Sequence, residues 1–206
     1  KKDVLKKYET VLAYARKISE ARSKASPKIE KELIEKVTYL GMPNVRFECK
    51  ITKRNEPDET GIDDVVFLFS ANKNMPLQPI ASVASGGEIS RIMLCLKSMI
   101  TGATALPTII FDEIDTGVSG EIAEKMGVIM KQMGDKMQVL AITHLPQIAA
   151  KGATHYKVYK EDEKDRTVTH LVRLTDAQRL DEVARMLSGS TITEAAKENA
   201  KVMLGI

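Results

Sequence analysis

Two adjacent acids stand where an apolar stretch of the chain stops. Residues 108–111 are short, rich in Ile and Phe and preceded by Pro107, which predicts a buried parallel strand with Asp112 and Glu113 just past its carboxyl end. Ligands bind at this edge of open α/β sheets. Two carboxylates there suit a cation-dependent phosphate reaction, one organising Mg²⁺ and the other orienting a water molecule. A strand that simply runs out into a solvated acidic loop stays open as the alternative.

His144 follows a second apolar stretch, residues 138–143, and an amphipathic pattern over residues 121–133 lies between the two stretches. Strand, helix and strand of these lengths predict a βαβ unit whose strands are parallel neighbours, about 5 Å apart. We therefore expect Asp112, Glu113 and His144 at one edge of the sheet, where they could face one ligand. The methionines of the helix are expected to fill the core.

Ser85, Gly86 and Gly87 come just before a helical pattern that begins at Ile89. Backbone N–H groups at the start of a helix, together with the helix dipole, make an anion site. An ordinary turn with a Ser cap is the alternative for these residues alone.

Two helical patterns and a pair of strands precede this turn. Residues 3–25 have an apolar seam of 4-3-4-3 spacing, which predicts a short coiled coil or an amphipathic surface helix. Pro27 is expected to kink or restart the helix, and Gly41 to cap its end. Strands are predicted at residues 45–51 and 64–69 around a turn at 54–61, followed by a loop at 70–82. A short helix is predicted at residues 147–151. Hairpin strands are predicted at 155–159 and 168–172 around the tip 161–166, and terminal helices at 176–188 and 193–204.

Composition is that of a soluble globular protein: 206 residues, 43% hydrophobic and 29% charged. No membrane span or signal peptide is recognisable, and the missing initiator Met suggests a fragment or a processed product. Cys49 and Cys95 form no CxxC pair, which favours a reduced cytoplasmic setting. The net charge of +3 is uneven, because residues 1–40 alone carry +5. That segment could attract nucleic acid, although a solvated Lys-rich helix surface explains it as well.

The motifs taken together resemble a known family. In chain order, Ala84-Ser85-Gly86-Gly87-Glu88, residues 108–113 and residues 142–144 resemble the signature, Walker B and switch-histidine motifs of ABC-type ATPases. Ile114-Asp115 after the acids resembles the SMC-like branch rather than transporter ATPases. Longer matches resemble the bacterial DNA-repair members of that branch across essentially the whole chain, over residues 41–44, 61–64, 83–93, 111–120 and 143–147.

The resemblance implies roles for the residues of the predicted edge. Asp112 would hold the Mg²⁺ of MgATP, mainly through water, and Glu113 would polarise the hydrolytic water. His144 would contact the γ-phosphate of ATP. Glu113 and His144 are thus the catalytic candidates, with ATP and Mg²⁺ as cofactors.

The resemblance also implies a second copy of the head. Ser85, Gly86 and Gly87, with Glu88, would clasp the γ-phosphate of ATP bound to the opposite head of a homodimer. Ser119 stands where the wider family usually has a D-loop Asp, which leaves the role of that loop open.

One motif of the family is missing, because no Gly-x-x-x-x-Gly-Lys-Ser/Thr phosphate loop occurs in the chain. The resemblance implies that this loop and the Gln loop lie in an amino-terminal half. Residues 1–40 would be the returning coiled-coil arm and residues 41–206 the carboxyl-terminal half of the head. The expected fold is an α/β carboxyl-terminal lobe of an ABC/SMC-type P-loop NTPase head with a parallel βαβ core and an amino-terminal coiled-coil stub.

The expected function is that of an SMC-like ATPase acting in DNA double-strand-break repair and recombination, with ATP driving head engagement. Its expected partners are DNA, ATP, the amino-terminal half and a second head, without a membrane, in the cytoplasm at the nucleoid. The segment alone is expected to be inactive. A non-catalytic ABC-like dimerisation or interaction module is the alternative.

Overall fold

The computed structural model describes residues 2–82, 86–102, 106–163, 166–189 and 191–206. Residue contacts divide the chain into two compact units, Lys1–Met99 and Ile100–Ile206. The sequence predicts a different boundary, between an arm ending at residue 40 and a half head beginning at residue 41. The division by contacts does not test that boundary, which stays a prediction.

The first unit begins with one long helix, α1 (Lys2–Tyr39), which continues through Pro27. A restart at this proline is therefore wrong. Buried residues lie on both sides of it, among them Ala15 and Leu33, so packing outweighs the hydrogen bond that proline removes. The predicted cap at Gly41 is confirmed: its φ is 83°, and its N–H donates to the Thr38 carbonyl at 3.0 Å.

Strands β1 (Arg46–Asp58) and β2 (Gly61–Ser70) are antiparallel, as predicted. The predicted turn at 54–61 is too long, because β1 runs on to Asp58. The pairing register shifts between Lys53 and Asp58, where Arg54 pairs with Asp58 and donates to the carbonyls of Gly61 and Asp63. These bonds hold β1 and β2 together across this irregular stretch, in which residues 54–57 have no paired partner on β2. The predicted loop at 70–82 contains a short strand, β3 (Gln78–Pro79), paired with β2.

A buried carboxylate joins α1 to this sheet. The side chain of Asp63 is 0% exposed, and Ser19 donates its hydroxyl to Asp63 Oδ1 at 2.7 Å. Arg22 Nη1 donates to Asp63 Oδ2 at 3.2 Å. Both oxygens of this carboxylate are therefore hydrogen-bonded. The last helix of the unit, α2 (Gly86–Ile100), is tied to the end of α1 by Arg91, whose Nη1 donates to the Leu40 carbonyl at 3.0 Å.

The second unit contains the predicted βαβ arrangement. Strands β4 (Thr108–Asp112) and β5 (Gln138–Ile142) are parallel, and α3 (Gly120–Gly134) connects them. The methionines of α3 fill the core as predicted, with Met126, Met130 and Met133 at most 6% exposed.

The prediction that these two strands are buried is wrong for one face of the sheet. Ile110 is 62% exposed, Leu140 44% and Ile142 55%, whereas Phe111 is 3% exposed. Side chains alternate along a strand, and Ile110 is paired with Leu140 and Asp112 with Ile142, so these four residues share one face. Parallel sheets normally carry cover on both faces. In the described parts of the chain this face is open, and the opposite face is covered only in part, with Phe111 buried and its partner Ala141 exposed. We call Ile110, Leu140 and Ile142 the open sheet face.

The rest of the second unit is α4 (Pro146–Ala149), the antiparallel strands β6 (Tyr156–Glu163) and β7 (Arg166–Arg173), α5 (Asp176–Ser188) and α6 (Glu194–Leu204). The hairpin is longer than predicted because polar residues near its tip bond across the strands, as Thr167 does to Asp162 at 2.7 Å. Among the described residues, no helix is long and apolar enough to cross a membrane.

Candidate functional site

The carboxyl edge of the parallel pair brings the predicted polar residues together. Asp112 ends β4 opposite Ile142, the last residue of β5, and the Glu113 N–H donates to the Ile142 carbonyl at 3.2 Å. Asp112 and Glu113 are exposed, and the side chain of His144, two residues beyond β5, is 71% exposed. The expected placement of the three residues at one edge is confirmed, while their roles stay predictions. We call Asp112, Glu113, Asp115, Thr143 and His144 the acidic edge.

The backbone of Glu113 is strained. Its φ of 47° is left-handed, and no other described non-glycine residue has a positive φ. Its carbonyl accepts bonds from the Thr116 N–H at 3.2 Å and the Thr116 hydroxyl at 2.9 Å, and its own N–H is bonded to β5. Such strain persists only where the surroundings fix the conformation, and it clusters at functional sites. The surrounding hydrogen bonds thus fix the backbone position that carries the Glu113 carboxylate at the end of β4.

Asp115 belongs to the same edge, and we did not predict it as a site residue. Its side chain is 0% exposed, and its Oδ2 accepts a hydrogen bond from the Thr143 hydroxyl. Thr143 Oγ1 in turn accepts the Leu145 N–H at 3.0 Å, and His144 Nδ1 lies 3.9 Å from Asp115 Oδ2. The other oxygen, Oδ1, is buried without a hydrogen-bond partner in the described parts of the chain. The sequence offered a signal for Asp115, because it is the third acid of the stretch 112–115. The first two acids of that stretch, Asp112 and Glu113, received roles from the resemblance.

Ser119 occupies the position before α3. It is the N-cap of that helix, with extended backbone angles, yet its side chain makes no capping hydrogen bond. Gly117 and Gly120 on either side have φ values of 76° and 55°, so this turn requires glycine. The hydroxyl of Ser119 is exposed and not engaged in the cap, and a role in ligand binding stays a prediction.

The predicted signature turn lies in the first unit. Gly86, Gly87 and Glu88 form the first turn of α2 instead of preceding it, and Ser85 lies outside the described residues. A Cβ added at Gly86 would meet nothing within 4 Å, so packing in this chain does not require glycine there. Open space above the first N–H groups of a helix is what an approaching anion needs. The role of this turn stays a prediction.

The residues of the acidic edge fit part of a Mg²⁺–phosphate site. Mg²⁺ prefers oxygen ligands, keeps several waters and uses one or two carboxylates together with substrate phosphates. Asp112 and Glu113 offer exposed carboxylates of this kind. In the described parts of the chain, no group of three or more His, Cys, Asp or Glu side chains could hold a metal by itself. These two carboxylates therefore suit a Mg²⁺ ion that binds together with substrate phosphates, which supply further oxygen ligands.

The other two histidines lie away from this edge. His155 is half-buried just before β6, and burial, reinforced by the nearby Arg179, lowers its pKa below the usual 6.5. The His170 ring stacks on Tyr159 with ring centroids 5.1 Å apart.

Comparisons with known proteins give relatives over nearly the whole chain. The DNA repair protein RecN of Deinococcus radiodurans is 40% identical over 202 residues, which is 98% of this chain and 35% of that protein. The RecN protein of Vibrio cholerae is 38% identical over 203 residues, 98% of this chain and 36% of that protein. The chain thus spans about a third of the length of these relatives. No family model matches it.

Solved structures of SMC heads share its fold. An Smc head domain with a coiled coil and joint from Pyrococcus yayanosii aligns with a TM-score of 0.60 at 18% identity, over 78% of this chain and 29% of that chain. A chain from work on ATP-driven dimerization and DNA-stimulated activation of SMC ATPases aligns with a TM-score of 0.52 at 17% identity, over 79% of this chain and 93% of that one. The predicted fold class, a lobe of an SMC-type head with a parallel core and a long amino-terminal helix, is confirmed.

Proposed function

Because the chain belongs with the RecN DNA repair proteins, as a segment of about a third of their length, we propose that it is the carboxyl-terminal half of an ATPase head in an SMC-like DNA repair protein. The complete protein binds and hydrolyses ATP, and ATP engages two heads of a homodimer. It acts on DNA in double-strand-break repair and recombination, in the cytoplasm at the nucleoid. The names of the relatives and the SMC-type fold support this proposal.

The observation that carries the proposal is the acidic edge beside an uncovered apolar face. Asp112 shares its face of the sheet with Ile110, Leu140 and Ile142, all more than two-fifths exposed. In the proposal, the amino-terminal half of the same protein covers this open sheet face and brings the Gly-Lys phosphate loop to Asp112. Apolar area removed from water contributes roughly 25 cal/mol per Å² to such docking.

The exposed seam of α1 is consistent with a second contact of the same kind. Val4, Tyr8 and Val11 are each at least 48% exposed, at the 4-3 spacing of a coiled-coil seam, whereas the next seam position, Ala15, is buried within the unit. In the proposal, residues 1–40 are the returning arm of a coiled coil and pair with an outgoing arm through this seam.

Within the proposed site, three residues of the acidic edge, Asp112, Glu113 and His144, have separate tasks. Asp112 holds Mg²⁺, mainly through water, and the bound ion neutralises charge on the phosphate oxygens. Glu113 orients the attacking water and accepts its proton. His144 hydrogen-bonds the γ-phosphate, and Ser119 contributes to ATP binding. Gly86 and Gly87, with Ser85 and Glu88, bind the γ-phosphate held by the opposite head.

Reconstitution tests the proposal. ATP hydrolysis is measured for this chain, for the amino-terminal half and for both together, with and without DNA. We expect turnover only from the combination. Glu113→Gln in the combination lowers kcat by roughly 10²–10⁴-fold, since a general base is lost, while ATP still binds. Glu198→Gln, an exposed acid on α6, is the matched control and leaves kcat unchanged. Robust ATP hydrolysis by this chain alone would contradict the split head.

A non-catalytic dimerisation module is the second candidate, favoured by the missing phosphate loop in the sequence. The two candidates differ in whether ATP controls head contact, which cross-linking of Ser85→Cys in the reconstituted protein measures. Burial raises the pKa of the Cys49 thiol and raises that of Cys95 to about 12, so the native thiols react slowly. Cross-links that require ATP support the ATPase, and cross-links that form equally without nucleotide support the module.

A further inference from the structure

Asp115 is a buried carboxylate that the roles given so far do not use. The side chain is 0% exposed, and only Oδ2 has a hydrogen-bond donor within the described residues, the Thr143 hydroxyl. Leaving a buried polar atom unpaired costs free energy, and more for a charged group. A purely structural residue at this place would avoid that cost, for example with an apolar side chain of the same size. The position of Asp115 therefore calls for a role beyond stability.

The geometry relates Asp115 to His144. His144 Nδ1 is 3.9 Å from Asp115 Oδ2, the oxygen that is also bonded to Thr143. Thr143 precedes the histidine directly and donates to this carboxylate, and its Oγ1 accepts the Leu145 N–H, so one neighbour of His144 is bonded to Asp115 and the other to Thr143. The Val118 N–H donates to the Asp115 carbonyl at 3.2 Å, which fixes Asp115 in its own turn. Two turns that follow different strands are thereby held together around one imidazole.

We propose that Asp115 is a positioning residue, which holds the His144 ring through Nδ1 so that the opposite nitrogen, Nε2, faces the ligand. A carboxylate facing one ring nitrogen keeps the proton on that nitrogen and fixes the orientation of the ring. The separation of 3.9 Å is longer than a hydrogen bond, so in the free chain the carboxylate acts on the ring through its charge, which already favours a proton on the facing nitrogen, and the contact shortens when the ligand binds. Thr143 holds Asp115 at the rotamer that faces His144. The role rests on the proposed function, in which His144 contacts the γ-phosphate.

The first test is independent of ATP hydrolysis. In the ¹⁵N-labelled chain above about pH 8, where an ordinary imidazole is neutral, nitrogen–proton correlation spectra show which ring nitrogen of each of the three histidines carries the proton. The His144→Gln variant assigns the signals. We expect the proton on Nδ1 of His144, and a shift toward Nε2 in Asp115→Asn, because the amide can donate to Nδ1. The exposed Asp181→Asn is the control and leaves the pattern unchanged. A His144 tautomer that is insensitive to Asp115→Asn overturns the proposal.

The second test uses ATP hydrolysis by the complete protein. Asp115→Asn lowers kcat by roughly 10–100-fold with little change in KM for ATP, as expected for a group that orients another. In a His144→Ala background, Asp115→Asn has no further effect, because its action passes through His144. Thr143→Val reproduces the loss, and Thr143→Ser, which keeps the hydroxyl, retains activity.

Failure of the positioning role can be distinguished from failure of the proposed ATPase function. Equal losses from Asp115→Asn in both backgrounds, accompanied by a lower melting temperature, overturn the positioning role while the ATPase proposal stands. If His144→Ala leaves ATP turnover intact, the proposed function of His144 fails, and the ring-nitrogen spectra still decide whether Asp115 holds the ring.

Discussion

The two units each contain a fully buried aspartate, and the two differ in how completely they are bonded. Asp63 in the first unit accepts from Ser19 on one oxygen and from Arg22 on the other, at 2.7 and 3.2 Å. Asp115 in the second unit accepts from Thr143 on Oδ2, while Oδ1 has no partner in the described residues. The first carboxylate is satisfied by its own unit, and the second is only half-paired by the described residues of its unit.

The difference in hydrogen bonding indicates which of the two aspartates serves stability and which serves function. A buried charge with a full set of partners contributes to the native state through every bond it makes, and losing it leaves those partners unpaired. A half-paired one costs free energy and persists where another process needs it. The strained Glu113 and the exposed His144 lie beside Asp115, whereas Asp63 lies where a helix packs on a sheet.

The largest expected effect on stability concerns Asp63. Asp63→Ala leaves Ser19 and Arg22 without their acceptor and lowers the free energy of unfolding by about 2–3 kcal/mol. Asp64→Ala removes an exposed carboxylate from the same strand and costs under about 1 kcal/mol. Asp115→Ala costs less than half as much as Asp63→Ala, because it also removes an unpaired buried oxygen. Urea denaturation measures all three, and equal losses for Asp63 and Asp115 would break the distinction.

A smaller effect, of opposite sign, is expected at Glu113. Glu113→Gly relieves the left-handed strain at φ 47° and raises the free energy of unfolding by about 1 kcal/mol, although it removes the proposed catalytic base. The matched control is Glu124→Gly inside α3, where glycine lowers helix stability by about 1 kcal/mol. Thermal unfolding compares the two variants. Destabilisation by Glu113→Gly would show that the side chain, rather than strain, governs this turn.

The smallest effect concerns His155, whose Nδ1 is buried and unpaired among the described residues, away from the acidic edge. Burial lowers its pKa in the folded state, so below about pH 6.5 the unfolded chain takes up the proton more readily. Stability is therefore lost as the pH falls through this region. His155→Gln should flatten this loss in denaturation curves measured at several pH values, without affecting ATP turnover. An unchanged acid profile would exclude His155 as its source.

Sequence patterns predicted much of the fold for identifiable reasons. Hydrophobic period and the Gly41 cap are local, so the two ends of α1, the βαβ unit and the terminal helices agree with the prediction within a few residues. The errors lie where side-chain hydrogen bonds decide: Arg54 spans the irregular end of the β1–β2 pairing, and a cross-strand bond from Thr167 to Asp162 lies near the tip of the β6–β7 hairpin. Burial of both faces of β4 and β5 was predicted from composition, which does not say whether the covering residues belong to this chain.

The sequence by itself determined that Asp112, Glu113 and His144 share an edge, because parallel strands joined by a helix place their carboxyl ends side by side. Only the tertiary structure decided which aspartates are buried and with what partners. Ser19 and Asp63 are 44 residues apart, and Asp115 and Thr143 are 28 apart. No local pattern encodes contacts over such distances, since they arise only when separate elements pack and exclude water from the groups between them.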